Sequence, residues 1–110
     1  MKSSINIKKK TEQAEALISL IATDEVTEKH WVTHYGANDI HPKHLVFWIC
    51  VQTDKERDRL ISDKPLMERL RNTLIEVDYP KEGRDFVFIG FESQETVDRE
   101  SNGHWWHHWK

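Results

Sequence analysis

Leu45-Val46-Phe47-Trp48-Ile49-Cys50-Val51 decides the fold: seven apolar residues stand in an unbroken row. A strand with one wet face would alternate apolar and polar residues, so this run predicts a strand covered on both sides. It is too short to cross a bilayer as a helix, which takes roughly 20 apolar residues. Its β-branched and aromatic residues favour a strand over a buried helix. A second run, Phe86-Val87-Phe88-Ile89-Gly90-Phe91, has the same character. Gly90 within it signals a bulge or a close approach by another group.

Between the two runs lies helical sequence. Thr53 or Asp54 can cap a charged turn through Ile61, and Ser62 or Asp63 can cap a second helix with Pro65 in its first turn. Leu66, Met67, Leu70, Leu74 and Ile75 form one apolar face there. Tyr79-Pro80-Lys81-Glu82-Gly83 ends that helix. Strand, helix and strand at this spacing predict a βαβ unit with parallel strands.

Upstream, Ile5 and Ile7 alternate with polar residues and suggest a short edge strand ending at Lys8-Lys9-Lys10. Thr11 then reads as an N-cap, followed by an apolar stripe of Ala14, Leu17, Ile18, Ile21 and Ala22. Thr23 or Asp24 can start a second helix running to Tyr35 and stopped by Gly36. Pro42 holds the following loop extended. Downstream, Ser93 to Asn102-Gly103 reads as a short helix, although Asn-Gly is also a hairpin turn. His104 to Lys110 is predicted to return as a strand. The expected fold is therefore one α+β domain over residues 1–110. Its three- or four-stranded mixed sheet contains a βαβ unit and is preceded by two N-terminal helices.

The chain has a formal net charge of −3, which argues against a general nucleic-acid binder. Fourteen of its 19 acidic residues lie at or after Asp39, an acidic bias suited to a basic protein partner. The single cysteine, Cys50, cannot form an internal disulfide and reads as a small buried hydrophobe in a reducing cytoplasm. The first seven residues lack the apolar core of a signal peptide, and no stretch is long enough to span a membrane.

Three chemistries are open to these residues. Seven histidines raise metal binding. His30 and His34 are four apart on an expected helix, His41 and His44 flank Pro42, and His104, His107 and His108 sit at the end. Trp31 follows His30, so the acid of a His-Glu-x-x-His hydrolase is missing, and no metal or other cofactor is expected. Glu92, Glu95, Asp98 and Glu100 cluster after the second strand, where carboxylates can serve acid–base work or cap a helix and pair with Arg99. Of these, Glu92 and Glu95 could converge with Asp39, His41 and the C-terminal histidines at one end of the sheet. Finally, Trp105, Trp106 and Trp109 crowd the last stretch and suit a packing or dimer interface better than a ligand cage. No phosphate-binding loop or nucleophile elbow is present.

In size, charge and lack of catalytic motifs the chain resembles the small orphan proteins of bacterial mobile elements, such as integron gene cassettes, and toxin-neutralising immunity proteins. That resemblance transfers no site residues. It implies a non-catalytic binding protein that neutralises a basic partner; the acidic bias and the tryptophans, suited to a second-subunit interface over the two-sided strands, make the expected protein acidic and homodimeric. A small metal-dependent or acid–base enzyme is the alternative, and an aromatic small-ligand binder the third reading.

Overall fold

A computed structural model describes residues 4–109. Helix α1 spans Ser4–Glu25 and strand β1 Trp31–Tyr35; a 3-10 turn at Pro42–His44 leads into strand β2, Val46–Val51. Helices α2 (Asp54–Ile61), α3 (Lys64–Glu76) and α4 (Lys81–Arg84) follow, then strand β3 (Phe88–Ser93) and helices α5 (Gln94–Ser101) and α6 (Trp105–His108). The sheet has the order β1-β2-β3, with β1 antiparallel and β3 parallel to β2. The fold is α+β with a mixed three-stranded sheet. The parallel pair, joined through α2, α3 and α4, has the connectivity of a βαβ unit.

Local chemistry sets these elements. Thr53 Oγ1 accepts from Glu56 N at 3.2 Å and starts α2; Asp63 Oδ1 accepts from Leu66 N at 3.0 Å and starts α3. Ser93 Oγ accepts from Thr96 N at 3.1 Å and starts α5. Asn102 (φ 53°) and Gly103 (φ 82°) then take left-handed conformations, so Asn-Gly closes a helix here, not a hairpin. Phe47, Ile49, Val51, Ile89 and Phe91 face the main core, in one cluster with Ile18 of α1, Leu60 of α2 and Leu70 of α3.

Three expectations are corrected. Ile5 and Ile7 belong to α1, with no edge strand. Lysines are good helix formers and neither glycine nor proline interrupts residues 4–25, so the helix begins about two turns before Thr11. Thr11 is buried in mid-helix and donates from Oγ1 to Ile7 O at 2.8 Å.

The second N-terminal helix does not form: among the described residues α1 is the sole helix before β1. Trp31-Val32-Thr33-His34-Tyr35 is rich in β-branched and aromatic residues and pairs along its whole length with β2. His30 and His34 therefore do not share a helix face. Gly36, at φ 117°, turns the chain out of β1, and a Cβ there would meet His44 O at 1.9 Å.

The C-terminal strand is also replaced, by α6; Lys110, at its expected end, lies outside the described residues. Asn102-Gly103 aims the chain over the face of the sheet, away from its edges. A helix satisfies its own backbone there without a ladder partner. The third strand of the sheet is β1 instead.

Candidate functional site

The register stacks three side chains from each strand on the face opposite the main core. These are Trp31, Thr33 and Tyr35 of β1, Val46, Trp48 and Cys50 of β2, and Phe88, Gly90 and Glu92 of β3. Helix α6 lies on this face. As a helix it turns Trp105, His108 and Trp109 inward together, whereas a strand would have split them.

The result is an aromatic layer. Trp109 stacks on Trp48 with centroids 5.5 Å apart and planes inclined by 18°. Its ring also meets Trp105 at 5.2 Å, Tyr35 at 5.8 Å and Trp31 at 6.3 Å. Trp105 meets Trp31 edge-on at 5.0 Å and donates from Nε1 to Gln94 Oε1 at 2.8 Å. Trp48 donates from Nε1 to Tyr35 Oη at 3.0 Å and packs on Phe88 at 5.1 Å. Gly90 makes room for these rings: a Cβ there would sit 2.4 Å from the Phe88 ring. Among the described residues, Trp109 Nε1 is buried without a hydrogen-bond partner.

The layer is only half covered. Trp31 remains 38% exposed, Tyr35 41% and Phe88 47%. Phe86, just before β3, and Trp106, on the outer side of α6, are 68% and 72% exposed. Phe86 and Phe88 also correct the expectation that the second apolar run is covered on both faces.

Beside the aromatics lies a charged network at the carboxyl ends of β2 and β3. Glu92 accepts from His108 Nε2 at 2.8 Å, from Arg57 Nη1 at 2.9 Å and from Ser93 N at 2.9 Å. His108 Nδ1 lies 3.0 Å from Ser101 Oγ. Burial pushes the Glu92 carboxyl up, but its bonds to His108, Ser93 N and Arg57 outweigh this and hold it below its ordinary value. Asp54 accepts from Ser93 Oγ, from Thr96 Oγ1 at 2.7 Å and from Arg99 at 3.0 Å, and is held well below the usual carboxylate range, chiefly by the two hydroxyls. Cys50 lies under this network. Burial, with the Glu92 charge as a smaller cause, raises its thiol far above the ordinary range, so it carries no thiolate near neutral pH.

In α/β sheets the carboxyl ends of parallel strands and the helix N-termini beside them are the usual ligand-binding place. Here the chain fills that place itself. Glu28 Oε2 accepts from Gln52 N at 2.6 Å and Thr53 N at 2.7 Å; Glu95 Oε1 accepts from Asp54 N at 2.6 Å. Two carboxylates of the protein occupy the position an anionic ligand would take at α2.

The histidines are dispersed. His30 Nδ1 lies 3.0 Å from Glu28 O, and His34 pairs with Glu15 of α1. His41 and His44 lie side by side, with ring centroids 6.1 Å apart, in the connection before β2. His104 and His107 form a second exposed pair at 5.6 Å. Among the described residues, no group of three or more His, Cys, Asp or Glu is placed to hold a metal ion. Asp39 and His41 lie between β1 and β2, at the opposite end of the sheet from Glu92 and Glu95. Asp98 and Glu100 are exposed on α5.

No family model matches the chain, and neither a search of curated proteins nor one of solved structures finds a match.

Away from the sheet face, a cleft of about 320 Å³ lies between α1 and the loop after β1, lined by residues including Lys8, Glu12, His34 and Asp39. An adjoining cleft of about 430 Å³ adds Lys10, Asp78, Lys81 and Glu82. Their charges are mixed in sign. Lys10 is already engaged, donating to Asp78 O at 3.0 Å. No helix is long and apolar enough to cross a membrane among the described residues.

Of the surface now visible, the sequence reading had named Trp105, Trp106, Trp109, Glu92 and His108. It missed Trp31, Tyr35 and Phe88 as members of one face, and Arg57 and Ser101 as partners of Glu92 and His108. The composition of residues 31–35 held the signal for the first group. For Arg57 and Ser101 no local signal exists, because their partners lie 35 and 7 residues away.

Proposed function

We propose that this is a non-catalytic interaction protein of the accessory or toxin-neutralising kind, acting in the cytoplasm as a homodimer on a basic protein partner. The observation that carries this reading is the half-open aromatic face, where Trp31, Tyr35 and Phe88 stay 38–47% exposed beside α6. Exposed contiguous aromatics are unusual on a monomer and mark interaction sites, where tryptophan and tyrosine dominate the binding energy. Helix α5 borders the face with the exposed acids Glu95, Asp98 and Glu100, which would steer a cationic partner toward it. The half-buried carboxylates favour the same reading: Glu92, Asp54 and Glu28 are consumed by internal pairing. A mobile-element origin of integron-cassette type accords with a small acidic binding protein.

The test is titration with a short peptide of alternating lysine and leucine, followed by intrinsic tryptophan emission. Saturable binding that weakens with salt is expected, together with loss of binding in Phe88→Ser and in the pair Asp98→Lys and Glu100→Lys. Polylysine of equal length should bind more weakly. No saturation, or unchanged binding in both variants, would overturn the reading.

One observation favours a second reading, an acid–base enzyme: Ser101, His108 and Glu92 form a hydrogen-bonded serine–histidine–carboxylate chain. Its test is turnover of an activated acetate ester that disappears in Ser101→Ala.

A further inference from the structure

Strand β1 is an edge of the sheet: one side pairs with β2, and no other strand pairs with it among the described residues. Proteins usually blunt such edges with proline, lysine, inward charges or a bulge. Trp31-Val32-Thr33-His34-Tyr35 has no proline, lysine or carboxylate, and its register with β2 is unbroken over five pairs. Its residues are strong strand formers.

Run antiparallel against itself, this strand is self-complementary. A two-fold axis at Thr33 sets Trp31 opposite Tyr35 of the partner subunit, and Tyr35 opposite the partner's Trp31. Val32 meets the partner's His34, and Thr33 meets the partner's Thr33. Aromatic–aromatic and threonine–threonine pairs are among the favoured cross-strand contacts, and no like charges oppose each other. Trp31 and Tyr35, at 38% and 41% exposed, retain area to bury.

The geometry points to a homodimer formed by antiparallel pairing of β1 with β1 of a second copy. It gives one six-stranded sheet, β3-β2-β1-β1-β2-β3, with the two aromatic faces joined on one side. This inference rests on the homodimer of the preceding section and adds its interface.

Two measurements test it. Light scattering of the unaltered chain should give twice 13.1 kDa. Thr33→Lys places two ammonium groups opposite each other at the axis, with Cβ atoms about 4.5–5.5 Å apart. It should weaken the dimer by about tenfold or more, with the far-ultraviolet circular dichroism unchanged. Thr33→Cys should form a covalent dimer under mild oxidation, while Ser62→Cys, on an exposed surface elsewhere, should not. If Thr33→Lys fails to fold, the Thr33→Cys result decides alone. A stable dimer that neither cross-links at position 33 nor responds to Thr33→Lys would overturn the β1 interface and leave dimerisation standing. A single-chain mass at all concentrations would overturn both.

Discussion

Replacing Trp109 with alanine removes the ring on which the C-terminal helix rests. Trp109 contacts Trp48, Trp105, Tyr35 and Trp31 at centroid distances of 5.2–6.3 Å. Loss of a buried tryptophan costs about 3–5 kcal/mol, and each aromatic pair contributes about 0.5–1.5 kcal/mol of that beyond area. Two features lower the figure here. The ring is not fully buried, and its Nε1 is desolvated without a partner, a penalty that the substitution relieves. No described residue of α6 belongs to the main core cluster, so the helix can detach without unfolding that core, which caps the cost. A loss of about 2–3 kcal/mol is expected in urea unfolding followed by circular dichroism. Trp109→Phe keeps a ring over Trp48 and discards the orphan N–H, so its loss should be about 1 kcal/mol or less. Acrylamide should quench the remaining tryptophan emission more strongly in the alanine variant than in the phenylalanine one, as Trp48 and Trp105 lose their cover. A cost for Trp109→Ala below about 0.5 kcal/mol, or a phenylalanine variant weaker than the alanine one, would refute this packing argument.

Two further outcomes follow from the charged networks. Arg57→Met removes the cation between Glu92 and Asp54, but Glu92 keeps its bond to His108 and Asp54 its bond to Arg99, so the cost should be about 1.5–3 kcal/mol, measured by the same unfolding assay; a change under about 0.5 kcal/mol would show that the network is solvated. The chain should also be acid-labile. The Arg59 hydrogen bond and, against the opposing effect of burial, the Thr27 bonds lower Glu56 from 4.5 to about 2. A carboxyl depressed in the folded state contributes its full stability above its unfolded value and loses it as the proton returns. Thermal midpoints should therefore fall between about pH 5 and pH 2, and Glu56→Gln, already less stable at neutral pH, should flatten that fall.

How much of this was legible in the sequence depended on whether one period fitted better than its rivals. Residues 45–51 and 86–91 read as strands because an unbroken apolar run of that length leaves few other structures. Leu66, Met67, Leu70, Leu74 and Ile75 recur at i, i+1, i+4, i+8 and i+9, and a strand would split the adjacent pairs Leu66-Met67 and Leu74-Ile75 between its two faces. Residues 30–35 were ambiguous: Trp31 and Tyr35 share a face in a helix at i, i+4, and equally in a strand at two alternations. Only pairing with β2 resolves them. Residues 104–109 were read by alternation, but Trp105, His108 and Trp109 face the sheet at helical spacing, and that choice was made by where Asn102-Gly103 sends the chain. The start of α1 was hidden by three lysines that read as an edge device and are compatible with a helix. The candidate site was legible in composition, as tryptophans and acids near the end. It was not legible in assembly, since Trp31, Trp48, Phe88 and Trp109 come from four separate elements. The expected convergence of Asp39 and His41 with Glu92 failed because they lie at opposite ends of the strands.

Backbone amide shifts mapped during the lysine–leucine peptide titration show residue by residue whether the half-covered aromatic face is the contact surface. The largest shifts should fall on Trp31, Thr33, Tyr35, Phe88 and the exposed side of α5. Shifts confined to the cleft of Lys8, Glu12 and Asp39, with the sheet face silent, would mean that the peptide binds elsewhere and that the aromatic face is not a contact surface.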